Sequence, residues 1–207
     1  MEHLSIYGYG YWPLVIGNVL FASFIVFMVF RPRTRRDWRS MGALSSFFLA
    51  LFFEMFGFPL TIYLLSSWLG SRYPVVDPFS HNNGHLLGVF FGNPLLSFLV
   101  HPGSDIMLLF ALIIIAVGWK KIHKGGGELV TDGIYAYVRH PQYLGFYLII
   151  FSFLLQWPTL LTLLMAPILV VMYSRLAKSE EEKMIEQFGE QYVLYSASTK
   201  KFIPYVY

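Results

Sequence analysis

The chain has 207 residues, 56% of them hydrophobic, 19% aromatic and only 13% charged, with a formal net charge of +3; an ordinary soluble domain carries about 25% charge. That balance, with a mean hydropathy of +0.56, excludes a disordered chain, and a water-soluble globule of this size has too little core to hide so much apolar surface. The absence of cysteine excludes disulfides, thiolate zinc sites and cysteine nucleophiles together. The expected fold class is all-α, a polytopic membrane helical bundle. Each span takes about 20 residues, so little chain remains for a separate soluble catalytic domain.

The first apolar run, Trp12–Phe30, is long enough to cross a bilayer and is followed by Arg31, Arg33, Arg35, Arg36 and Arg39. A secretory signal would carry its positive charge in front. The order here places the N-terminus outside and the arginine loop in the cytoplasm. The cluster therefore reads as a topology signal, and nucleic acid is not an expected partner. Residues 41–69 form a second span. Residues 71–93, with Pro74, Pro78, Asn82, Asn83 and Gly84, read as an external loop, and 86–100 as an interfacial or re-entrant piece broken by Gly92, Asn93 and Pro94. A third span covers 105–119, opened by Pro102, Gly103, Ser104 and Asp105 as a helix-start signal and closed by Lys120, Lys121 and Lys124.

The long apolar stretch 143–174 is interrupted by Gln156, Trp157 and Pro158, which suits the turn of a membrane hairpin. The tail from Arg175 is polar, and Met184, Ile185, Phe188 and Tyr192 make one apolar stripe at helical spacing, so an amphipathic cytoplasmic helix is expected there. With about five spans, fourteen of the fifteen lysines and arginines fall on the cytoplasmic side and Arg72 alone lies outside. The expected division is an N-terminal transmembrane region, 1–119, and a region 120–207 that holds the chemistry.

Two polar stretches flank the hairpin, KKIHKGGGELVTDGIYAYVRHPQYLG before it and SRLAKSEEEKMIEQFGEQYVLY after it, followed by KKFIP. The pair resembles the integral-membrane methyltransferases that include isoprenylcysteine carboxyl methyltransferase and the phospholipid N-methyltransferases. The resemblance rests on LVTDGIYAYVRHPQYLG at 129–145, on Glu180 and Glu181 before Phe188 and Gly189, on Tyr192 and Tyr195, and on Phe202, Ile203 and Pro204. It implies methyl transfer from S-adenosylmethionine, leaving S-adenosylhomocysteine, to a lipophilic or lipid-anchored acceptor entering from the bilayer, with the cofactor site on the cytoplasmic face. It also implies a cofactor site of Leu129, Val130, Tyr135, His140, Pro141, Gln142, Tyr143 and Glu180; Glu128, where isoprenylcysteine enzymes carry a histidine before the Leu-Val pair, and Arg139 are further candidates for it. Where isoprenylcysteine enzymes carry a substrate arginine four residues before the cofactor glutamate, this chain has Leu176, with Arg175 one position away as the candidate for the acceptor.

The residues support that chemistry on their own terms. A sulfonium amino acid with an adenine ring needs a carboxylate for its ammonium, donors for its carboxylate and an aromatic slot. Glu180 suits the first, Arg139, His140 and backbone N–H groups the second, Tyr135 or Tyr143 the third. Periodicity does not decide between Glu180 and Glu181, because each continues an i,i+4 face. Pro141 bars helix at His140 and suits the first turn of the span that follows. Gly125–Gly127 reads as a connector, since no strand–glycine–helix pattern surrounds it.

Glu54 lies about halfway through the second span, where an ionisable group is costly. It shares a small, polar stripe with Ser46, Ala50, Gly57 and Thr61. It reads either as a protonated structural carboxyl or as a catalytic group lining the acceptor cavity, able to take a proton from an amine or thiol. A carboxylate acceptor needs no base and would instead want a cation such as Arg175. No metal is expected: His81 and His85 have i,i+4 spacing, but Asn82, Asn83 and Gly84 break the helix it would need, and His101 stands apart. A phospholipid amine, a small lipophilic thiol or a phenol remain open as acceptors, as does oligomeric state. Outside this class, a small membrane transporter finds support in Glu54 and the broken 86–100 segment, and a non-catalytic membrane assembly factor in the altered acceptor positions.

Overall fold

A computed structural model describes residues 12–30, 35–57, 60, 61, 64 and 94–204. The external loop, His81, His85, Arg31, Arg33 and most of 58–69 lie outside the described residues. Among those described the chain is all-helical. The elements are α1 (Trp12–Phe30), α2 (Arg35–Phe52) running into a π-turn (Phe53–Gly57), α3 (Pro94–Lys124), a 3₁₀ turn (Gly133–Ala136), α4 (Pro141–Gln156), α5 (Leu160–Phe188) and α6 (Glu190–Ser198). Two stretches, Leu99–Lys124 and Leu160–Phe188, are long and apolar enough to cross a membrane; Trp12–Phe24 and Pro141–Gln156 are shorter apolar helices.

The helix start expected at Pro102–Asp105 is a correction. α3 begins at Pro94 and carries Pro102 in its interior, so residues 94–100 belong to a continuous helix. A proline inside a helix removes a hydrogen bond and would break many helices in water at a cost of about 3 kcal/mol. In lipid, ending the helix would strand more backbone groups than the proline does, so the helix continues. Ser104 Oγ donates to His101 O at 2.8 Å, and Ser152 Oγ of α4 donates to Ser104 O at 2.7 Å.

The break between α4 and α5 falls at 157–159, where the sequence places Trp157 and Pro158. Its chemistry is a threonine version of the capping box: Thr162 N donates to Thr159 Oγ1 and Thr159 N to Thr162 Oγ1, both at 3.1 Å. At about 1.5 Å per residue α5 is roughly 43 Å long, more than the hydrocarbon core of about 30 Å. Its charges begin at Arg175, and the residues before it are its apolar part. Gly189, at φ +54°, separates α5 from α6.

The chain divides into two compact units, one of residues 1–105 and 152–168, the other of 106–151 and 169–207. In the first, α1 packs on α2 and the π-turn, and Leu51 and Trp157 form a buried pair with Phe48, Met55 and Phe153 around it. In the second, α3 and α4 meet closely enough that a Cβ on Gly145 would lie 2.2 Å from Ile115 Cγ1 and 3.1 Å from Ala111 O. Pro141 packs on Gly118 one turn further along, 3.2 Å from the position a Cβ would take there. These contacts set the start of α4, and hence the loop before it.

Candidate active site

Pro141 has no N–H to give and begins α4, so the preceding residues are extended and their backbone groups need partners outside the helix. The C-terminal segment supplies them. Val138 and Lys200 form a parallel bridge; Arg139 N donates to Lys200 O at 2.8 Å and His140 N to Lys201 O at 3.1 Å. His140 is thereby buried at 4% exposure, against Phe202 (ring centroids 5.9 Å) and Tyr143 (5.7 Å).

From α5 two adjacent carboxylates reach this loop. Tyr143 Oη donates to Glu180 Oε1 at 2.7 Å, and His140 Nδ1 lies 3.3 Å from Glu180 Oε2. His140 Nε2 lies 3.2 Å from Glu181 Oε1. Each imidazole nitrogen therefore faces a carboxylate oxygen. Glu181 Oε1 also receives Arg139 Nε and Nη2, both at 2.8 Å, and its Oε2 receives Lys201 Nζ at 2.9 Å. Arg139 Nη1 donates to the carbonyls of Ser196 and Thr199. Burial alone would push the Glu181 carboxyl up, but hydrogen bonds from His140, Lys201 and Arg139 outweigh it and hold the group at about 2.

Tyrosines line the same unit. Tyr135, on the 3₁₀ turn, is buried and its phenol is pushed well up by that burial and by the nearby Tyr195 and Glu180 charges, so it is neutral. Its hydroxyl has two acceptors within reach of its one proton, Gly118 O at 3.4 Å and Gln142 Oε1 at 3.3 Å, while Tyr195 Oη of α6 donates to its carbonyl at 2.6 Å. Burial pushes Tyr192 up to about 12. Tyr143, Phe146 and Tyr147 pack around Tyr173 in tilted and edge-on contacts, with Tyr143 and Tyr173 at 5.6 Å and Phe146 and Tyr173 at 5.3 Å. Before them, Lys121 pairs with Asp132 across the Gly125–Gly127 turn. Gly126 and Gly127 adopt φ +60° and +103° there, a conformation other residues resist.

Of the residues singled out from sequence, Tyr135, Arg139, His140, Pro141, Gln142, Tyr143 and Glu180 are brought together. Leu129 and Val130 are half-buried just before the turn, with Val130 against Gly125, and Glu128 is exposed. Arg175 is exposed. It stands five residues before Glu180, about 140° round the helix at 100° per residue, while buried Leu176 occupies the face one turn before Glu180. Glu54 belongs to the other unit, buried at 3%; Thr61 N donates to its Oε2 and Thr61 Oγ1 to its Oε1, both at 3.1 Å, and Leu160 N donates to Thr61 Oγ1 at 2.7 Å. His101 Nδ1 lies 2.9 Å from Gln156 Nε2, which donates to it.

Sequence reasoning missed the centrality of Glu181 and the part of Lys201. A signal existed: α5 buries Tyr173, Leu176 and Ala177, and one turn further along that broad face stand both Glu180 and Glu181, so both acids turn inward.

The set fits an S-adenosyl cofactor by its donor chemistry: a carboxylate ordered by a phenol, an imidazole and several neutral aromatic faces. Arg139 departs from the expected role, since its guanidinium is committed to Glu181 and two carbonyls and its N–H to Lys200. The isoprenylcysteine carboxyl methyltransferase (ICMT) family matches residues 96–186. Among similar proteins, protein-S-isoprenylcysteine O-methyltransferase of Schizosaccharomyces pombe is 38% identical over 79 residues, covering 38% of this chain and 34% of the relative. The protein of the same name from Dictyostelium discoideum is 34% identical over 84 residues, covering 37% and 32%. The matched segment thus spans about a third of the length of each curated relative. No solved structure matches the chain. Residues 96–186, which hold α4, most of α3 and α5 and both site carboxylates, are thus similar to the isoprenylcysteine carboxyl methyltransferase family.

Proposed function

We propose that this protein is an integral-membrane methyltransferase that uses S-adenosylmethionine on a lipophilic acceptor, with isoprenylcysteine carboxylate as the first candidate. The observation that carries the reading is the Glu180 carboxylate, held by Tyr143 Oη at 2.7 Å and facing His140 Nδ1, next to a wall of neutral aromatic rings. Residues 120–207 form the cofactor-binding region. When bound, S-adenosylmethionine supplies an electrophilic methyl group. Glu180 binds its ammonium, His140 and the Leu129–Val130 backbone hold the amino acid end, and Tyr135 and Tyr143 give the adenine an apolar slot. The protein's work is alignment of acceptor and methyl while water is excluded, because a carboxylate acceptor is already a nucleophile at neutral pH. Arg139 frames the loop.

The reading includes about five crossings with the N-terminus outside and the C-terminus in the cytoplasm, which puts the site on the cytoplasmic face. Because the chain has no cysteine, single cysteines introduced at the exposed Lys124 and Ser198 report sidedness cleanly: both should label from the cytoplasm only.

A second acceptor class has its own support. Arg175 faces away from Glu180 and Leu176 takes the facing position, which favours a neutral nucleophile, an amine or a thiol, that loses a proton on methylation. Transfer of labelled methyl in detergent to an S-prenylcysteine with a free carboxylate, to the same compound with its carboxylate blocked, and to phosphatidylethanolamine separates the two. Wild type should bind S-adenosylhomocysteine and Glu180→Gln should weaken that binding at least tenfold. A folded protein that binds none of it, unaffected by His140→Ala or Glu180→Ala, would sink the proposal. Substrate flux in liposomes without cofactor would favour a transporter instead.

A further inference from the structure

The last turn of the described chain lies on the site loop as a strap. Lys200 O and Lys201 O accept from the backbone of Arg139 and His140, and Phe202 packs on the His140 ring at 5.9 Å and on Tyr147 at 5.3 Å. The side chain of Lys201 turns back and meets Glu181 Oε2 at 2.9 Å, with both side chains only 17% exposed. Its ammonium also lies 5.7 Å from the Phe202 ring centre.

We infer that Lys201 is a positioning residue for the cofactor site, acting through Glu181. The two oxygens of Glu181 have different duties: Oε2 takes Lys201, leaving Oε1 to Arg139 and His140. With Lys201 removed, Oε2 becomes an unpaired, mostly enclosed charge, and the carboxylate turns to share the Arg139 fork through both oxygens, the bidentate geometry that guanidinium favours. That rotation draws Oε1 off His140 Nε2 and loosens the ring whose Nδ1 faces Glu180. Lys201 also ties the strap by side chain as well as backbone, so its loss frees Phe202 from the His140 ring. Neither consequence requires Lys201 to touch the cofactor.

The inference rests on the methyltransferase reading for its binding readout, so a second readout without cofactor goes with it. In full-length protein in detergent, Lys201→Met should raise the Kd for S-adenosylhomocysteine about tenfold, between the effects expected for an exposed and a buried ion pair. Lys201→Arg should restore it, and Lys183→Met, an exposed lysine elsewhere on α5, should leave it unchanged. In a Glu181→Gln background Lys201→Met should add little further, because both remove the same interaction. Hydrogen exchange at the amides of Arg139 and His140 should quicken in Lys201→Met without any ligand. Unchanged affinity, failure of Lys201→Arg to rescue, or additivity with Glu181→Gln would each overturn the inference. If wild type bound no S-adenosylhomocysteine, the methyltransferase reading would fall, and unchanged exchange in Lys201→Met would overturn the strap separately.

Discussion

Replacing Gly145 by alanine isolates the contact that sets the loop. Its ideal Cβ would stand 2.2 Å from Ile115 Cγ1, 2.7 Å from Ile115 Cδ1 and 3.1 Å from Ala111 O. Carbon atoms rest at about 3.5–4.0 Å, so the overlap is about 1.5 Å. Ile115 is fully buried and, being β-branched, is stiff at χ1 within a helix; Ala111 O is backbone and cannot swing aside. Overpacking of this kind costs about 1–3 kcal/mol, and two obstacles put it near the upper end. Against it stands the helix propensity gained on going from glycine to alanine, about 1 kcal/mol. The steric term wins, for a net loss of about 2 kcal/mol.

For a chain of this length that loss corresponds to a fall in Tm of about 4–8 °C, read by thermal unfolding of the full chain in detergent. Binding of S-adenosylhomocysteine should weaken in parallel, since α4 carries Pro141 and Tyr143. Ile115→Ala alone should also destabilise, by leaving a void. Combined with Gly145→Ala it should cost less than the sum of the two, because the new methyl occupies part of that void. A Gly145→Ala protein that melts at or above the wild-type temperature would show that α3 and α4 are not in close contact there.

Acid should dissolve the Glu181 cluster in a defined window. The folded group sits near 2 and the free group at 4.5, so its contribution is complete above about pH 4.5 and disappears as pH falls toward 2; thermal melts between pH 5 and 2.5 should show it, and Glu181→Gln should lose that part of the slope. Tyr195→Phe removes the 2.6 Å hydrogen bond to Tyr135 O and should lower stability by about 1 kcal/mol, with a modest rise in the Kd for S-adenosylhomocysteine. Glu54→Gln keeps one acceptor for Thr61 and loses the other, so it should cost about 1 kcal/mol while leaving kcat unchanged. A fall in kcat at unchanged Tm would instead mark Glu54 as a participant in the reaction.

The loop side of the candidate site was legible because its residues are close in sequence and punctuated by proline. RHPQY must leave the helix before Pro141 and enter it after, so His140 and Tyr143 are placed by local geometry alone. The helical class was legible from composition, and the hairpin turn from Trp157 and Pro158. The start of α3 was not, because proline and glycine were weighed as they act in water, whereas lipid raises the cost of ending a helix above the cost of carrying Pro102 inside one. The Thr159–Thr162 cap of α5 departs from the usual capping signature, which has glutamate or glutamine in the second place.

The acids of α5 show where periodicity stops. An i,i+4 rule offers Glu180 and Glu181 equal faces, and only the resemblance singled out Glu180. Two adjacent residues are about 100° apart on a helix, and the buried face here spans both Leu176 and Ala177, so there was room for two carboxylates. What pairs the second is a loop arginine 42 residues before it and a strap lysine twenty residues after it, partners no local spacing identifies. Charge balance does identify them. Two enclosed carboxylates beside one histidine need cations to be stable. With Lys121 on Asp132 and Arg175 exposed, Arg139 and a lysine of the Lys200–Lys201 pair are what the RHPQY and KKFIP segments bring. A paired-acid motif near a membrane surface is therefore better read by asking which cations its neighbouring segments must bring than by asking which acid faces in.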